Sequence, residues 1–136
     1  MIAYVDASCA VALLKREDKS EEISAYLAEW IEEGHLVVAG TLLETELHRV
    51  AARFGIADGP VQAVLDEVNL IPHTSVDFRR AGQLPGPYLG SLDALHLATA
   101  LRVPVDVMLS EDARLVEASE AMGLPVLDTS IPARSL

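Results

Sequence analysis

The chain has 136 residues, of which 51% are hydrophobic and 4% aromatic, and its single cysteine excludes an internal disulfide. This length and composition favour one compact domain, residues 1–136, with a core large enough to need no structural metal. The formal net charge of -11 argues against broad attraction to nucleic acids or anionic membranes, so a phosphate ligand would need a local basic cluster or bound cations.

The opening segment "MIAYVDASCAVALL" combines a charge-free strand at 2–5 with a helical pattern at 7–14. It lacks the basic start of a signal peptide, and no apolar run in the chain approaches the roughly 20 residues that cross a bilayer. Cys9 is interpreted as a small buried hydrophobe. These features predict a cytoplasmic protein with no membrane partner.

Short apolar runs and helical patterns alternate along the rest of the chain. Further strands are predicted at 35–40, 69–74, 105–109 and 125–128. Helices are predicted at 20–33, 41–53, 60–68, 75–82, 91–102 and 111–122. Asp18 with Glu21 suggests a capping box for the helix at 20–33, and Ser91 is the expected N-cap of the helix at 91–102. The alternation predicts an α/β fold, a three-layer α/β/α arrangement with a mainly parallel central sheet.

Acidic residues stand where such a sheet gathers its ligands. Asp6 follows the first strand and Asp112 follows the strand at 105–109, and carboxyl ends of parallel strands are the usual binding edge. Asp93 lies in the first turn of a helix that is apolar almost all round, so little of that helix can face water. A carboxylate in a first turn is also favoured by the helix dipole, and this structural role stays open for Asp93.

The helix "TLLETELHRVAAR" offers two further carboxylates, Glu44 and Glu46. Glu46 lies roughly 60° from the centre of the apolar stripe and Glu44 roughly 100° away, at about 100° per residue. Glu46 is therefore predicted to border the core and Glu44 to face solvent.

Convergence of Asp6, Glu46, Asp93 and Asp112 would be electrostatically costly without a cation. Two like charges about 4 Å apart repel by about 1 kcal/mol in water-like surroundings and about 4 kcal/mol at an effective dielectric near 20. A divalent cation removes this penalty, and oxygen-only ligands favour Mg²⁺ or Mn²⁺ over zinc.

Four stretches in order resemble the PIN-domain ribonucleases, specifically VapC-type toxins of toxin-antitoxin pairs. They are "MIAYVDASCAVALL", "TLLETELHRVAAR", "SLDALHLATAL" and "VMLSEDARLVEASEAMGLPVL". The third is very similar to the D-A-x-H-L-A-T-A helix of that family and is the most specific of the four. One departure is Glu111, where relatives often carry an aromatic or neutral residue, and it is expected to face solvent.

The resemblance implies a Mg²⁺- or Mn²⁺-dependent ribonuclease that hydrolyses RNA phosphodiester bonds as the toxin of a toxin-antitoxin pair. It assigns the catalytic and metal-binding roles to Asp6, Glu46, Asp93 and Asp112, with Ser8 and Ser110 as supporting hydroxyls. It also implies a homodimer and a cognate antitoxin protein as partner.

Substrate contacts are less well specified. Arg79, Arg80, Arg114 and Tyr88 are candidate RNA-binding residues, with ordinary surface positions as the alternative. His96, three residues after Asp93, is interpreted as a packing histidine, or else as a partner of Asp93 or of the backbone.

Two other functional classes stay open. The first is a catalytically silent PIN module that binds a partner or a metal without cleaving RNA. The second is a phosphohydrolase or phosphoacceptor domain of the haloacid dehalogenase or receiver type, which also places Asp after a first strand. The second is disfavoured because "DASCA" is not D-x-D and no lysine follows a late strand.

Overall fold

The computed structural model describes residues 1–15 and 19–129 and contains one sheet of four parallel strands. The strands are β1 (Ile2–Val5), β2 (Leu36–Gly40), β3 (Asn69–Ile71) and β4 (Val107–Leu109). Their order across the sheet is β3-β2-β1-β4. The register pairs Ala3 with both Val37 and Val107, so β1 is the central strand between β2 and β4.

In the described residues, seven helices cover the two faces of this sheet. They are α1 (Ala7–Lys15), α2 (Ser20–Glu32), α3 (Leu42–Phe54), α4 (Asp58–Asp66), α5 (Ser75–Ala81), α6 (Ser91–Arg102) and α7 (Ala113–Ala121). Side chains of a strand alternate between faces, and β1 shows this directly. Ala3 and Val5 pack in the cluster formed with α1 to α4, whereas Tyr4 packs against α6 and α7. The predicted three-layer α/β/α class is therefore confirmed.

The path of the chain changes direction at β1. The first two connections extend the sheet through β2 to β3, and the chain then returns to add β4 on the other side of β1. In an open parallel sheet the carboxyl ends on either side of such a reversal form a crevice that takes ligands. Asp6 is the residue directly after β1, and Ser110 is the residue directly after β4.

The predicted helix at 91–102 is matched by α6, and its residues Ala94 to Ala100 are all buried. The prediction of Ser91 as its N-cap is wrong, because Gly90 is the cap and no side chain accepts a capping hydrogen bond. The start of α2 has Lys19 at its N-cap, and Asp18 of the predicted capping box lies outside the described residues.

The predicted strand at 125–128 is wrong as a full strand, because only Val126 forms a bridge, with Met108. Pro125 has no backbone N–H to donate, which limits the ladder at this edge of the sheet. Over the described part of the chain, no helix combines the length and the apolar character that crossing a bilayer requires.

Candidate active site

Asp6 lies directly after the carboxyl end of β1 and is only 1% exposed. Its Oδ1 accepts hydrogen bonds from Ser8 Oγ at 2.7 Å and from the Cys9 amide at 3.3 Å, and its Oδ2 accepts one from Ser110 Oγ at 2.9 Å. Burial raises the pKa of Asp6 to about 6, although these hydrogen bonds lower it. No guanidinium or ammonium donates to it among these contacts, so its charge is solvated by neutral donors alone.

Asp112 reaches the same crevice from the other side of β1. It is the N-cap of α7, and its Oδ1 accepts from the amides of Arg114 and Leu115. Ser110 links it to Asp6, because Ser110 Oγ accepts from the Asp112 amide at 3.0 Å and donates to Asp6. Ser110, one of the two predicted supporting hydroxyls, therefore bridges Asp6 and the backbone of Asp112.

Asp93 is half-buried in the first turn of α6. Burial raises the pKa of its carboxyl, the negative charges of Asp112 and Glu46 raise it further, and His96 opposes them. Carboxylates act on each other in this way only at short range. Asp112, Glu46 and His96 therefore lie near enough to Asp93 to affect its pKa, and His96 also affects the pKa of Asp6.

Glu46 borders the core on α3, as the helical phase predicts, while Glu44 of the same helix is exposed. The Glu46 side chain is 15% exposed, and its Oε1 lies 2.5 Å from Nε2 of the fully buried His96. His96 is a packed histidine, as interpreted, but its partners are Glu46 and Tyr4 rather than Asp93 or the backbone.

We name Asp6, Glu46, Asp93 and Asp112, with Ser8 and Ser110, the acidic site. Within the described ranges, no three His, Cys, Asp or Glu side chains are gathered tightly enough to enclose a metal ion. Mg²⁺ usually binds through one or two carboxylates, keeps several waters and takes further oxygens from a phosphate. An open set of mutually repelling carboxylates fits this kind of coordination, and it offers none of the Cys or His ligands that zinc prefers.

The predicted substrate-binding residues divide into two places. Arg114 and Tyr88 are neighbours, since Arg114 Nη1 lies 3.5 Å from the Tyr88 carbonyl oxygen, and Tyr88 is 78% exposed. Arg79 and Arg80 are exposed on α5, on another element of the same layer. Glu111 is exposed and pairs with Lys19 at 3.3 Å, which agrees with its expected outward position.

Three residues of the site's surroundings escaped the sequence analysis: Tyr4, Gly40 and His73. Tyr4 Oη contacts His96 Nδ1 and accepts from the Gly40 amide, and His73 contacts Thr99 and the amide of Leu42. The signal available in the sequence was a tyrosine, Tyr4, inside a charge-free strand. A buried tyrosine hydroxyl requires a polar partner.

Comparison with known sequences gives one family and several relatives. The model of the PIN domain family matches residues 3–121. Ribonuclease VapC35 of Mycobacterium tuberculosis is 32% identical over 131 residues, which cover 91% of this chain and 94% of the relative.

Solved structures share the fold at lower identity. The sarcin-ricin loop cleaving toxin VapC20 of Mycobacterium tuberculosis superposes with a TM-score of 0.68 at 14% identity, covering 90% of this chain and 95% of the other. A toxin-antitoxin complex from Klebsiella pneumoniae superposes with a TM-score of 0.63 at 17% identity, covering 93% of this chain and 97% of the other.

Proposed function

The chain belongs to the PIN domain family and to its VapC group, and from this premise we propose that it is a ribonuclease that cleaves RNA phosphodiester bonds as the toxin of a toxin-antitoxin pair. The observation that supports the proposal is the raised pKa of Asp93, to which the negative charges of Asp112 and Glu46 contribute, together with the position of Asp6 directly after β1. Such a concentration of negative charge is unfavourable in the free protein and becomes favourable around a divalent cation.

Each residue of the acidic site has a distinct part in this proposal. Asp6, Asp93, Asp112 and Glu46 would hold Mg²⁺ or Mn²⁺ and constitute the catalytic set. Ser8 and Ser110 support them, because both hydroxyls donate to Asp6 and keep its two oxygens in a fixed direction. When bound, the cation supplies Lewis acidity to the phosphate and lowers the pKa of the attacking water.

Cys9 and Ser8, the described thiol and hydroxyl nearest to Asp6 in the sequence, are both poor nucleophiles. Burial raises the pKa of the Cys9 thiol, and the side chain is fully buried, so it has neither the charge nor the access for attack. Ser8 Oγ donates to Asp6 and accepts from the Glu111 amide, which engages its proton and one of its lone pairs. Water is therefore the proposed nucleophile, and the role of the protein is to orient it and to bind the phosphate.

RNA must approach a protein of net charge -11 where repulsion is smallest. Residues 68–92 contain a single acidic residue, Asp77, which is buried and paired with Arg102. The same segment exposes Arg79, Arg80 and Tyr88. We propose that this segment, with Arg114, contacts the RNA backbone and one base.

Replacing Arg79 and Arg80 together by alanine should raise the KM for RNA and weaken the dependence of this KM on salt concentration. An unchanged salt dependence would refute the contact.

The partners are proposed from the family. Solved relatives include a toxin-antitoxin complex, which supports a cognate antitoxin for this chain. We also propose a homodimer, to be tested by analytical ultracentrifugation of the purified chain, and a monomer at micromolar concentration would contradict it.

The central experiment compares the wild type with Asp93→Asn in RNA cleavage assays containing Mg²⁺, Mn²⁺ or EDTA. The wild type should cleave with either cation and not in EDTA. Asp93→Asn should lose about 100- to 1000-fold in kcat, the loss typical of removing one electrostatic group of an active site. Asn retains the size and a hydrogen-bonding oxygen, so the loss reports the charge.

Glu44→Gln is the matched control, because Glu44 is an exposed carboxylate on the same helix as Glu46. It should cleave as the wild type does. Equal cleavage by wild type and Asp93→Asn would remove the case for this site. Tight Mn²⁺ binding by a wild type that leaves RNA intact would favour the catalytically silent module.

A further inference from the structure

A chain of buried hydrogen bonds connects the sheet to the acidic site. The Gly40 amide donates to Tyr4 Oη at 2.8 Å, Tyr4 Oη lies 2.6 Å from His96 Nδ1, and His96 Nε2 lies 2.5 Å from Glu46 Oε1. The four residues come from β2, β1, α6 and α3 respectively. One continuous set of contacts therefore joins two strands and two helices, and it ends on a carboxylate of the site.

The direction of every bond in this chain follows from counting donors. The Gly40 amide can only donate, so the Tyr4 hydroxyl accepts from it and has its single proton for His96 Nδ1. A carboxylate can only accept, so His96 Nε2 carries the proton that Glu46 Oε1 receives. Glu46 thus requires Nε2 of His96 to be a donor, and in the neutral ring Nδ1 is the acceptor of the Tyr4 proton.

Packing leaves the His96 ring little freedom to leave this position. His96 and Tyr4 are both fully buried, and their rings meet edge to face with centroids 5.6 Å apart. The ring of His73 lies on another side, 5.8 Å from that of His96. Gly40 leaves room for the arrangement, because a Cβ there would lie 2.8 Å from Tyr4 Oη and 2.0 Å from His73 Cε1.

We propose that His96 is a positioning residue that holds the Glu46 carboxylate in its place in the acidic site. The inference rests on the proposed function, since it assigns a task toward the same metal-dependent reaction. A glutamate has three side-chain torsions, and fixing one oxygen to a rigid, buried donor removes most of that freedom before any ligand binds. Partners that orient a metal-binding side chain in this way typically affect metal affinity or activity by about 10- to 100-fold.

Two substitutions of His96 separate positioning from packing. In His96→Gln the amide nitrogen extends to about the place of Nε2 and can still donate to Glu46. In His96→Asn the shorter amide reaches about the place of Nδ1 and can bond to Tyr4 but not to Glu46. Both variants bury an amide of similar polarity and leave one ring contact unfilled, so their thermal stabilities should fall together.

The two variants should differ in function. His96→Asn should lose about 10- to 100-fold in kcat with little change in KM for RNA, and the Mn²⁺ concentration for half-saturation should rise. His96→Gln should lose less than about tenfold, below the range typical of such partners. In a Glu46→Ala background the difference between them should vanish, because the acceptor of the bond that distinguishes them is gone. Equal losses in both variants, in proportion to their melting temperatures, would overturn the proposal.

Two measurements do not depend on cleavage. Calorimetric titration of the RNA-free protein with Mn²⁺ should show weaker binding for His96→Asn than for His96→Gln. In protein with ¹⁵N-labelled histidine, the His96 signals should show a proton on Nε2, and an Nε2 without a proton would overturn the proposal. If the wild type failed to cleave RNA while these two results held, the proposed function would fall and the positioning of Glu46 would stand.

Discussion

Asp6 and Asp77 are both 1% exposed, yet their surroundings act on the two negative charges in opposite ways. Asp77 accepts from the Thr74 amide, the Thr99 hydroxyl and Arg102 Nε. Although burial raises the pKa of Asp77, these hydrogen bonds and the guanidinium of Arg102 outweigh it and lower the pKa. Asp6 receives only neutral donors, and burial raises its pKa to about 6.

The difference separates a carboxylate with a structural role from one that we propose to be functional. We call Asp77 with Thr74, Thr99, His73 and Arg102 the Asp77 cluster, which closes a capping box at the start of α5 and ties α5 to α6. The negative charge of Asp77 is neutralised within the chain, so the Asp77 cluster needs no ligand. Among the contacts of Asp6 that the structure describes there is no such cation, and a buried carboxylate without a counter-charge lowers the stability of the fold. Binding a cation would relieve this cost.

The largest effect on stability should come from the ionisation of Asp6. The pKa of Asp6 in the folded protein, about 6, lies above the ordinary aspartate value of 3.8, so between these values the native state holds a proton that the unfolded state has lost. Stability therefore falls as pH rises from about 4 to about 6, by about 3 kcal/mol in total from this group. Urea unfolding across this range should show a decrease that is absent in Asp6→Asn.

Mn²⁺ should counteract this decrease above pH 6, since it binds the ionised site of the native state. The contrast between Asp6 and Asp77 would be refuted if the difference in stability between the wild type and Asp6→Asn stayed constant from pH 4 to pH 7. For Asp77 we expect the opposite dependence of stability on pH. Its pKa is lowered, so its contribution to stability is lost only as the pH falls below the usual range of aspartate.

Removing Asp77 should destabilise the fold without touching the chemistry. Asp77→Ala leaves the Thr74 amide and the Thr99 hydroxyl without this acceptor, and we expect a loss of about 2 to 3 kcal/mol in the free energy of unfolding. At a temperature where the variant stays folded, its kcat should match that of the wild type. Asp6→Asn should show the reverse, a lost kcat without a loss of stability at neutral pH. A variant Asp77→Ala that stayed folded and lost cleavage would break the distinction.

A smaller effect on stability is expected at Gly40, where the acidic site and the Asp77 cluster meet. Gly40 faces Tyr4, which leads through His96 to the acidic site, and His73, which leads through Thr99 to the Asp77 cluster. In Gly40→Ala the new methyl group would displace the His73 ring, which bonds to Thr99 and to the amide of Leu42. We expect a loss of about 1 to 2 kcal/mol in stability from this overpacking, measured by urea unfolding.

Gly59→Ala is the matched control, because a Cβ at that exposed position meets nothing within 4 Å. It should leave stability close to that of the wild type. If Gly40→Ala proved as stable as this control, the close packing of Tyr4 and His73 around Gly40 would be wrong.

Much of the candidate site was predictable because its residues are defined by local position. Asp6 and Asp112 follow strands that are visible in the sequence as hydrophobic runs. Asp93 occupies the first turn of a helix whose apolar pattern is also recognisable. Helical phase alone separated Glu46 from Glu44. The cap of α6 was missed, because Gly90 and Ser91 are both acceptable at a helix start and only the backbone path decides between them.

The sequence by itself determined the order of strands and helices, the edge of the sheet where acids collect, and the absence of a disulfide, since each depends on residue type and spacing along the chain. Only the tertiary structure decided which buried polar groups meet. His96 bonds to Glu46 50 residues away and to Tyr4 92 residues away, and Asp77 finds Arg102 25 residues on. Such pairings follow from how α3 and α6 pack on the sheet, and periodicity along the chain carries no information about them.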